Sequence, residues 1–586
     1  MERADAETVG RGDTAIQDIE KVAPAEAPEP PTSPASPRTV ASSLRLLDTA
    51  FRRAASLKQV QIIAGLALIM AVMGWIQFGF GKVHLEVRRG EWPPVRMHVD
   101  SDSPAILDND GYYHIRWARM LRESFPHLPP FKALPLTTLD EQDYVDHHYL
   151  FHVFLFPFTF GEDMRLGAKW AAVVFSSLGI ASLFALLVSY NVRYRWLWLA
   201  GLVASSEPFL YRMSMTRAPA LSLALLGLGT YLILKRKHLL LGLLSFAFVW
   251  FYSLFPLILL FAVAYSIAVY LSSRRIDLWG ALASTCGILV GLVANPYFPK
   301  NLRLLYEHVL MKFTIASDYS VDVGVEWYPY ETWVMLTYSA LAFVIYFVGV
   351  AAFNYRKRAR DVKPLFFLMV SAMLLVMAFK SRRFIEYWPP FAVLFAAFTI
   401  SPRLEEIDRS WFRRETDRVI ASAAAAVVTV IAFVTMTTTI WQAHAEVKSE
   451  QDPYAYRGAS EWIAAHTPPG SMIFNTDWDD FPMLFYFNQN NTYIVGLDPS
   501  YLNDRDKALW SLYARITLGE EDDPAPLIRE RFGAEYVFTD NGHVDFLDVA
   551  RDSGDFDTVY KDKYTTVLRL RPAGEAKPQA DTDEDQ

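Results

Sequence analysis

From about residue 59 onward the apolar residues come in long blocks separated by short basic breaks, and that rhythm predicts membrane-spanning helices. A helix needs about 20 consecutive apolar residues to cross the hydrocarbon core of a bilayer. Such runs fall near 59–80, 165–190, 194–212, 217–234, 239–252, 254–272, 277–297, 331–353, 363–379, 384–400 and 417–440. They predict a multi-pass α-helical membrane protein of about 11–13 transmembrane helices. Ahead of them, 1–45 is rich in Ala, Pro and Glu without periodicity, as in Ala23 to Pro31, and is expected to stay unfolded, as is 573–586. No short apolar core with a small-residue cleavage site follows a basic start, so the N-terminus does not read as a signal peptide. After about 441 the pattern changes. Apolar runs at Ser471–Phe474, Thr492–Val495 and Ala534–Phe538 read as buried strands, with helical stretches at 458–465 and 525–532 between them. That alternation predicts a soluble α/β domain over 441–572.

The breaks set the orientation. Arg45, Arg52, Arg53 and Lys58 precede the first run. Arg193 with Arg195, Lys235-Arg236-Lys237, Arg274-Arg275, Arg356-Lys357-Arg358 with Arg360, and Arg413-Arg414 then fall on alternate loops. Basic loops stay in the cytoplasm. The N-terminus is therefore expected inside, with loops 81–164 and 298–330 and the α/β domain outside.

Composition agrees. With 52% hydrophobic, 15% aromatic and 20% charged residues the chain is too apolar for an ordinary soluble protein. A net charge of −8 with no basic stripe argues against nucleic-acid binding. Cys286 is the only cysteine, which rules out an internal disulfide and a multi-thiolate metal site.

The candidate chemistry gathers in the outer segments. Leu107-Asp108-Asn109-Asp110-Gly111-Tyr112-Tyr113-His114 puts two carboxylates soon after the first span, with Asp110 as the first candidate; the plain alternative is a helix cap. Asp146-His147-His148 and His152 precede and enter an apolar stretch too short to span, read as an interfacial helix. His148 and His152 stand at i and i+4, a spacing that suits a divalent ion, or equally two histidines bonded to headgroups. Asp318 to Pro329 is a polar segment suited to a mobile flap. Arg382 and Arg383 break the positive-inside pattern at an outer helix end and need an anionic partner, for which a phosphate is suited. Trp478, Asp479 and Asp480 follow the first strand of the tail, and carboxyl ends of such strands are where ligands bind; an Asx-rich turn is the alternative.

Taken together these positions resemble the catalytic subunit of oligosaccharyltransferase in its single-subunit prokaryotic form, within the C-type (GT-C) superfamily of integral-membrane glycosyltransferases. Asn109-Asp110-Gly111-Tyr112 with Ala118-Arg119 is similar to the family's first-loop motif, which implies that Asp110 binds a divalent metal and contacts the acceptor, with Asp108 beside it. Ser320-Val321-Asp322 resembles the fifth outer loop motif, with Asp322 at its functional position. Arg383-Phe384 resembles the arginine that contacts the donor's pyrophosphate, and Trp478-Asp479 part of the Trp-Trp-Asp-Tyr-Gly signature that reads the acceptor sequon. Two departures stand out. Where the family has a second Asp-X-Asp motif this chain reads Tyr211-Arg212-Met213-Ser214-Met215-Thr216-Arg217. Either Asp146, His147 and His148 join Asp110 around a divalent ion such as Mg or Mn, or Arg217 replaces the metal's charge. The tail signature continues as Asp480-Phe481, which changes the expected acceptor.

The resemblance implies transfer of a sugar or oligosaccharide from a polyprenyl-phosphate or pyrophosphate donor to a protein or glycolipid acceptor, at the outer face of a bacterial inner membrane. A lipid-sugar ligase or polymerase without a protein acceptor is the nearest alternative. A transporter or flippase is the remaining one, disfavoured because the apolar runs carry few charges near their centres.

Overall fold

A computed structural model of the chain describes residues 37–79, 82–87, 95–100, 105–310, 324–353, 361–410, 415–449 and 452–572. Most of it is helical. Five helices are long and apolar enough to cross a membrane: Ser56–Phe78, Met164–Ser189, Pro256–Ser273, Val362–Lys380 and Ala426–Ser449. Two more spans are broken, Glu207–Met213 meeting Ala218–Leu234 at 105° and Thr332–Tyr338 meeting Ala340–Ala352 at 81°. Arg195–Ala204, His238–Phe251 and Trp279–Val293 are shorter apolar helices, and Trp388–Ser410 carries the run expected at 384–400. The chain is an integral membrane protein.

By length and composition, then, five to seven spans stand where 11–13 were expected, although every predicted run lies on an apolar helix. Local chemistry explains the difference. The run 194–212 is two helices, because the Ser206 hydroxyl accepts the Phe209 N–H and Pro208 sits in the first turn, a strong start signal inside an apolar block. At the N-terminal end the first helix begins at Pro37, inside the tail expected to be unfolded. Small residues let the bundle close. A Cβ on Gly287 would lie 2.1 Å from the Gly242 carbonyl oxygen, so the helices at 238–251 and 279–293 approach backbone to backbone.

Outside the bundle, strands β1 (Lys82–Val87) and β2 (Val95–Asp100) form an antiparallel pair, followed by a helix over Asp110–Ser124. The expected interfacial helix is Tyr149–Leu155, continued by a 3₁₀ turn over Phe156–Thr159. The tail is an α/β unit with a five-stranded sheet, in which β3 (Met472–Asn475) runs parallel to β4 (Thr492–Tyr493) and to β5 (Ala534–Asp540). Two strands that the alternation did not reveal, β6 (Phe556–Lys561) and β7 (Thr565–Leu570), extend it in the order β4-β3-β5-β7-β6. The tail docks on the segment 81–164, the first outer loop of the expected topology. Arg116 Nε donates to the Tyr486 carbonyl at 2.8 Å, the Tyr493 N–H to the Ala133 carbonyl at 2.8 Å, and the Thr138 N–H to the Tyr501 carbonyl at 3.1 Å. This docking aims the carboxyl ends of β3 and β4 at Asp108 and Asp110.

Candidate active site

The first outer loop enters the site through a tight turn. Ala105, Ile106 and Leu107 are buried, and Asp108 then takes the left-handed conformation (φ 74°), which Asp tolerates better than most residues. Asp110 opens the following helix, but neither it nor Asn109 caps that helix with its side chain. The Asp110 carboxylate turns instead to Arg217, and Tyr112 supports the turn by accepting the Ile106 N–H at 3.3 Å.

Arg217 stands at the break between Glu207–Met213 and Ala218–Leu234, and all three edges of its guanidinium meet carboxylates. Nε is 2.6 Å from Asp108 Oδ2, an ion-pair contact without hydrogen-bond geometry, while Nη2 pairs with Asp110 and Nη1 donates to Glu326 Oε2 at 2.7 Å. Glu326 is a second hub. It also accepts from Arg383 through Nη2 and through Nε at 3.0 Å, and from Arg212 Nη2 at 3.2 Å. Arg212 in turn pairs through Nε with the buried Glu386 at 2.5 Å. The Arg383 guanidinium lies 4.2 Å from the centre of the Trp327 ring, a cation–π contact that fixes its plane. Burial alone would raise the Glu326 carboxyl, but Arg383, Arg217 and Arg212 outweigh it and hold it well below the usual carboxylate range. At Asp110 the balance is reversed: burial pushes its carboxyl up despite Arg217.

Asp108, Asp110, Arg212, Arg217, Glu326 and Trp327 form one wall of a cavity of about 610 Å³, lined also by Arg382, Trp478 and Asp479. Asn109 Nδ2 donates to the Asp479 carbonyl at 3.2 Å and to its carboxylate at 3.3 Å, tying the exit of β3 to the first outer loop. The exit of β4 reaches the same cavity through Leu497 and Asp498, with Leu497 held at φ 66°. A bulky side chain in that region signals a loop constrained by its surroundings. Asp480 is not brought here. It is buried beneath the helix it precedes and accepts from the Tyr456 hydroxyl at 2.6 Å, so the expectation that it meets the acceptor is not matched by its position. Asp322 lies outside the described residues.

Asp146 and the histidines stand behind this wall, around a chamber of about 80 Å³ that shares Asp110 and Glu326 with the cavity and is lined on that side by Arg383. Their polar atoms are turned toward one another. His152 Nδ1 meets Asp146 Oδ2 at 2.7 Å, Trp117 Nε1 donates to the same oxygen at 3.0 Å, and the His148 N–H donates to Asp146 Oδ1 at 2.9 Å. His152 Nε2 meets His114 Nδ1 at 2.8 Å. His148 precedes the helix that carries His152 and stacks on Tyr252, so the i, i+4 pair expected to share an ion points two ways. Among the fully buried polar atoms of the described residues there, His148 Nε2 is left without a partner. His147 lines the chamber without completing a ligand set, and no group of three His, Cys, Asp or Glu side chains among the described residues has the geometry to hold a metal. The residues present do not fit the divalent ion that the resemblance implies, because Arg217 already lies among the carboxylates that would bind it.

Of the sequence candidates, the structure brings Asp108, Asp110, Arg217, Arg382, Trp478 and Asp479 to one cavity and sets Arg383 behind it on Glu326, while Glu326, Arg212 and Glu386 were not among the candidates. The wrong-side arginines were the available signal. Buried guanidiniums need buried carboxylates, and Glu386 stands three residues after Arg383, whereas Glu326 is distant in sequence from every arginine it meets.

The helical bundle with its small C-terminal sheet matches the GT-C membrane fold of the following solved structures. Among solved structures, the archaeal oligosaccharyltransferase AglB from Archaeoglobus fulgidus, in complex with an inhibitory peptide and a dolichol-phosphate, matches 82% of this chain and 70% of its own with a TM-score of 0.55 at 12% identity. ArnT from Cupriavidus metallidurans matches in the apo state over 87% of this chain and 98% of its own, with a TM-score of 0.53 at 12% identity. Its form bound to undecaprenyl phosphate gives 0.52 at the same identity over 87% and 97%. No protein-family model and no curated protein matches the sequence.

Proposed function

We propose that this protein transfers a sugar or oligosaccharide from a polyprenyl-phosphate or pyrophosphate donor to an acceptor at the outer face of the membrane. The observation that carries this reading is the convergence of Arg212, Arg217 and Arg383 on the single carboxylate of Glu326, with Arg212, Arg217, Glu326 and Asp110 lining an open cavity at the ends of membrane helices and Arg383 facing the chamber behind it. Three guanidiniums around one carboxylate make a site where a phosphate is a natural competitor for Glu326, and a departing lipid phosphate gains negative charge that such donors stabilise. Asp110 faces that position and is the group placed to take the acceptor's proton. The bilayer holds the donor next to the cavity and lowers the entropic cost of the encounter. Both AglB and ArnT carry polyprenyl phosphates in solved complexes, which supports a lipid donor here.

Trp478 and Asp479 then line the side from which an acceptor enters. The buried position of Asp480 favours an acceptor other than the Asn-X-Ser/Thr peptide, a lipid or glycan hydroxyl among them. Pairing purified protein and a lipid-linked oligosaccharide with peptide and glycolipid acceptors tests this. Transfer to any of them that disappears in Arg383→Ala supports the reading, and efficient glycosylation of the sequon peptide, lost in Trp478→Ala, would restore the conventional acceptor. The reading also puts the tail outside the cytoplasm, and a C-terminal reporter active only in the cytoplasm would reverse the orientation if it gave signal.

A further inference from the structure

We propose that the guanidinium of Arg217 is a resident cation in the cage formed by Asp108, Asp110 and Glu326, taking the place of a divalent metal, and that transfer proceeds without one. The inference rests on the proposed function only for what the cation does; its occupancy of the cage stands on geometry.

Three carboxylates from two segments, Asp108 and Asp110 from one and Glu326 from the other, each only 15–23% exposed at its side chain, surround one guanidinium. Anions brought so close repel strongly in a medium of low dielectric constant, and the arrangement persists only with a cation at its centre. Arg217 supplies it with one edge per carboxylate. Its backbone is held as well. It directly precedes the helix Ala218–Leu234, and the neighbouring Thr216 hydroxyl donates to the Ala168 carbonyl at 2.9 Å. The guanidinium does not lose its proton in proteins, so the charge is permanent. The groups that might otherwise complete a metal shell are engaged elsewhere: both Asp146 oxygens accept from His152, Trp117 and the His148 N–H, and both nitrogens of His152 are bonded. A single imidazole nitrogen, His148 Nε2, does not make a shell.

Binding of Mn²⁺, followed by the loss of its free-ion EPR signal, tests the proposal on the purified full-length protein without a donor or an acceptor. Wild type is expected to leave the signal undiminished; Arg217→Ala removes the guanidinium that holds the three carboxylates apart, lets them close on one ion, and should bind it at least ~10-fold more tightly. Asp110→Asn in the Arg217→Ala background should abolish that uptake. Arg217→Lys keeps a cation and should behave as wild type. Wild type that binds one Mn²⁺, lost in Asp110→Asn, overturns the proposal, as does an Arg217→Ala protein that melts like wild type yet gains no ion. If Arg217→Ala does not fold, the wild-type titration still decides. In transfer assays, chelator should change wild-type activity less than ~2-fold. Should no lipid-linked donor support transfer, the functional reading fails while the Mn²⁺ result stands or falls by itself.

Discussion

The arginine wall and the histidine chamber behind it are built from similar material, and they differ in where their polar atoms point. In the wall, Glu326 and Asp110 border open space, and each is held by guanidiniums that an anionic ligand can compete for. In the chamber, Asp146 and His152 are 3% and 1% exposed and take one another as partners, with Trp117 and His114 closing the set. A buried polar network that satisfies itself rigidifies the fold, whereas charges that border a cavity and hold exchangeable partners are available for chemistry. The lesson is that Asp-His spacing by itself does not mark a site.

The largest expected effect is on the wall. Asp110→Ala should lower transfer by ~10²- to 10⁴-fold, the contribution of a positioned acid or base, while the protein still inserts and accumulates. Asp108→Ala should cost less, because its contact with Arg217 is an ion pair without hydrogen-bond geometry and Asp110 is the group proposed to take the acceptor's proton. Transfer rates with a lipid-linked donor measure both. Equal tolerance of the two substitutions would reduce the wall to a structural turn and erase the contrast with the chamber.

For the chamber the opposite is expected. Asp146→Ala leaves His152 and Trp117 facing a gap, and removing one partner of a buried pair costs about 3–5 kcal/mol of stability. Thermal unfolding in detergent should show a clear loss, and activity per folded molecule should stay within ~3-fold of wild type. Asp146→Asn, which keeps the shape, should be milder. A well-folded Asp146→Asn protein without activity would move the chamber into the chemistry.

Much of this was legible in the sequence, for a physical reason. Apolar runs, basic loops and the exit of β3 are local patterns, and each found its element: the helix at Met164–Ser189, the strand at Met472–Asn475, the cavity position of Trp478. Pairing across the fold is not local. Glu326 meets arginines more than 50 residues before and after it, and nothing in Val325-Glu326-Trp327 alone announces that. The direction of a side chain is equally hidden. Asp479 and Asp480 are neighbours, yet one opens on the cavity and the other is buried against Tyr456, because the helix starting at Phe481 turns the chain between them.

The smallest effect sharpens that last contrast. Asp479 stands at the cavity rim, where loss of hydration within the walls, and then the charges of Asp110 and Asp477, push its carboxyl up from 3.8 to about 6. From about pH 4 to about pH 6 the folded protein therefore keeps a proton that the unfolded chain has released, so this group's contribution to stability falls as pH rises and stays low above that window. Asp479→Asn removes the dependence. Wild type should lose more melting temperature than the variant across that interval, with the two differing most above about pH 6. Because Asp479 is exposed, solvent screens the effect, and the difference should be on the order of 1 °C. Melting curves that run parallel for the two proteins would mean that the Asp479 carboxyl titrates as an ordinary surface acid. The rim would then exert no field on an incoming acceptor, and the electrostatic distinction between Asp479 and a solvated turn would be lost.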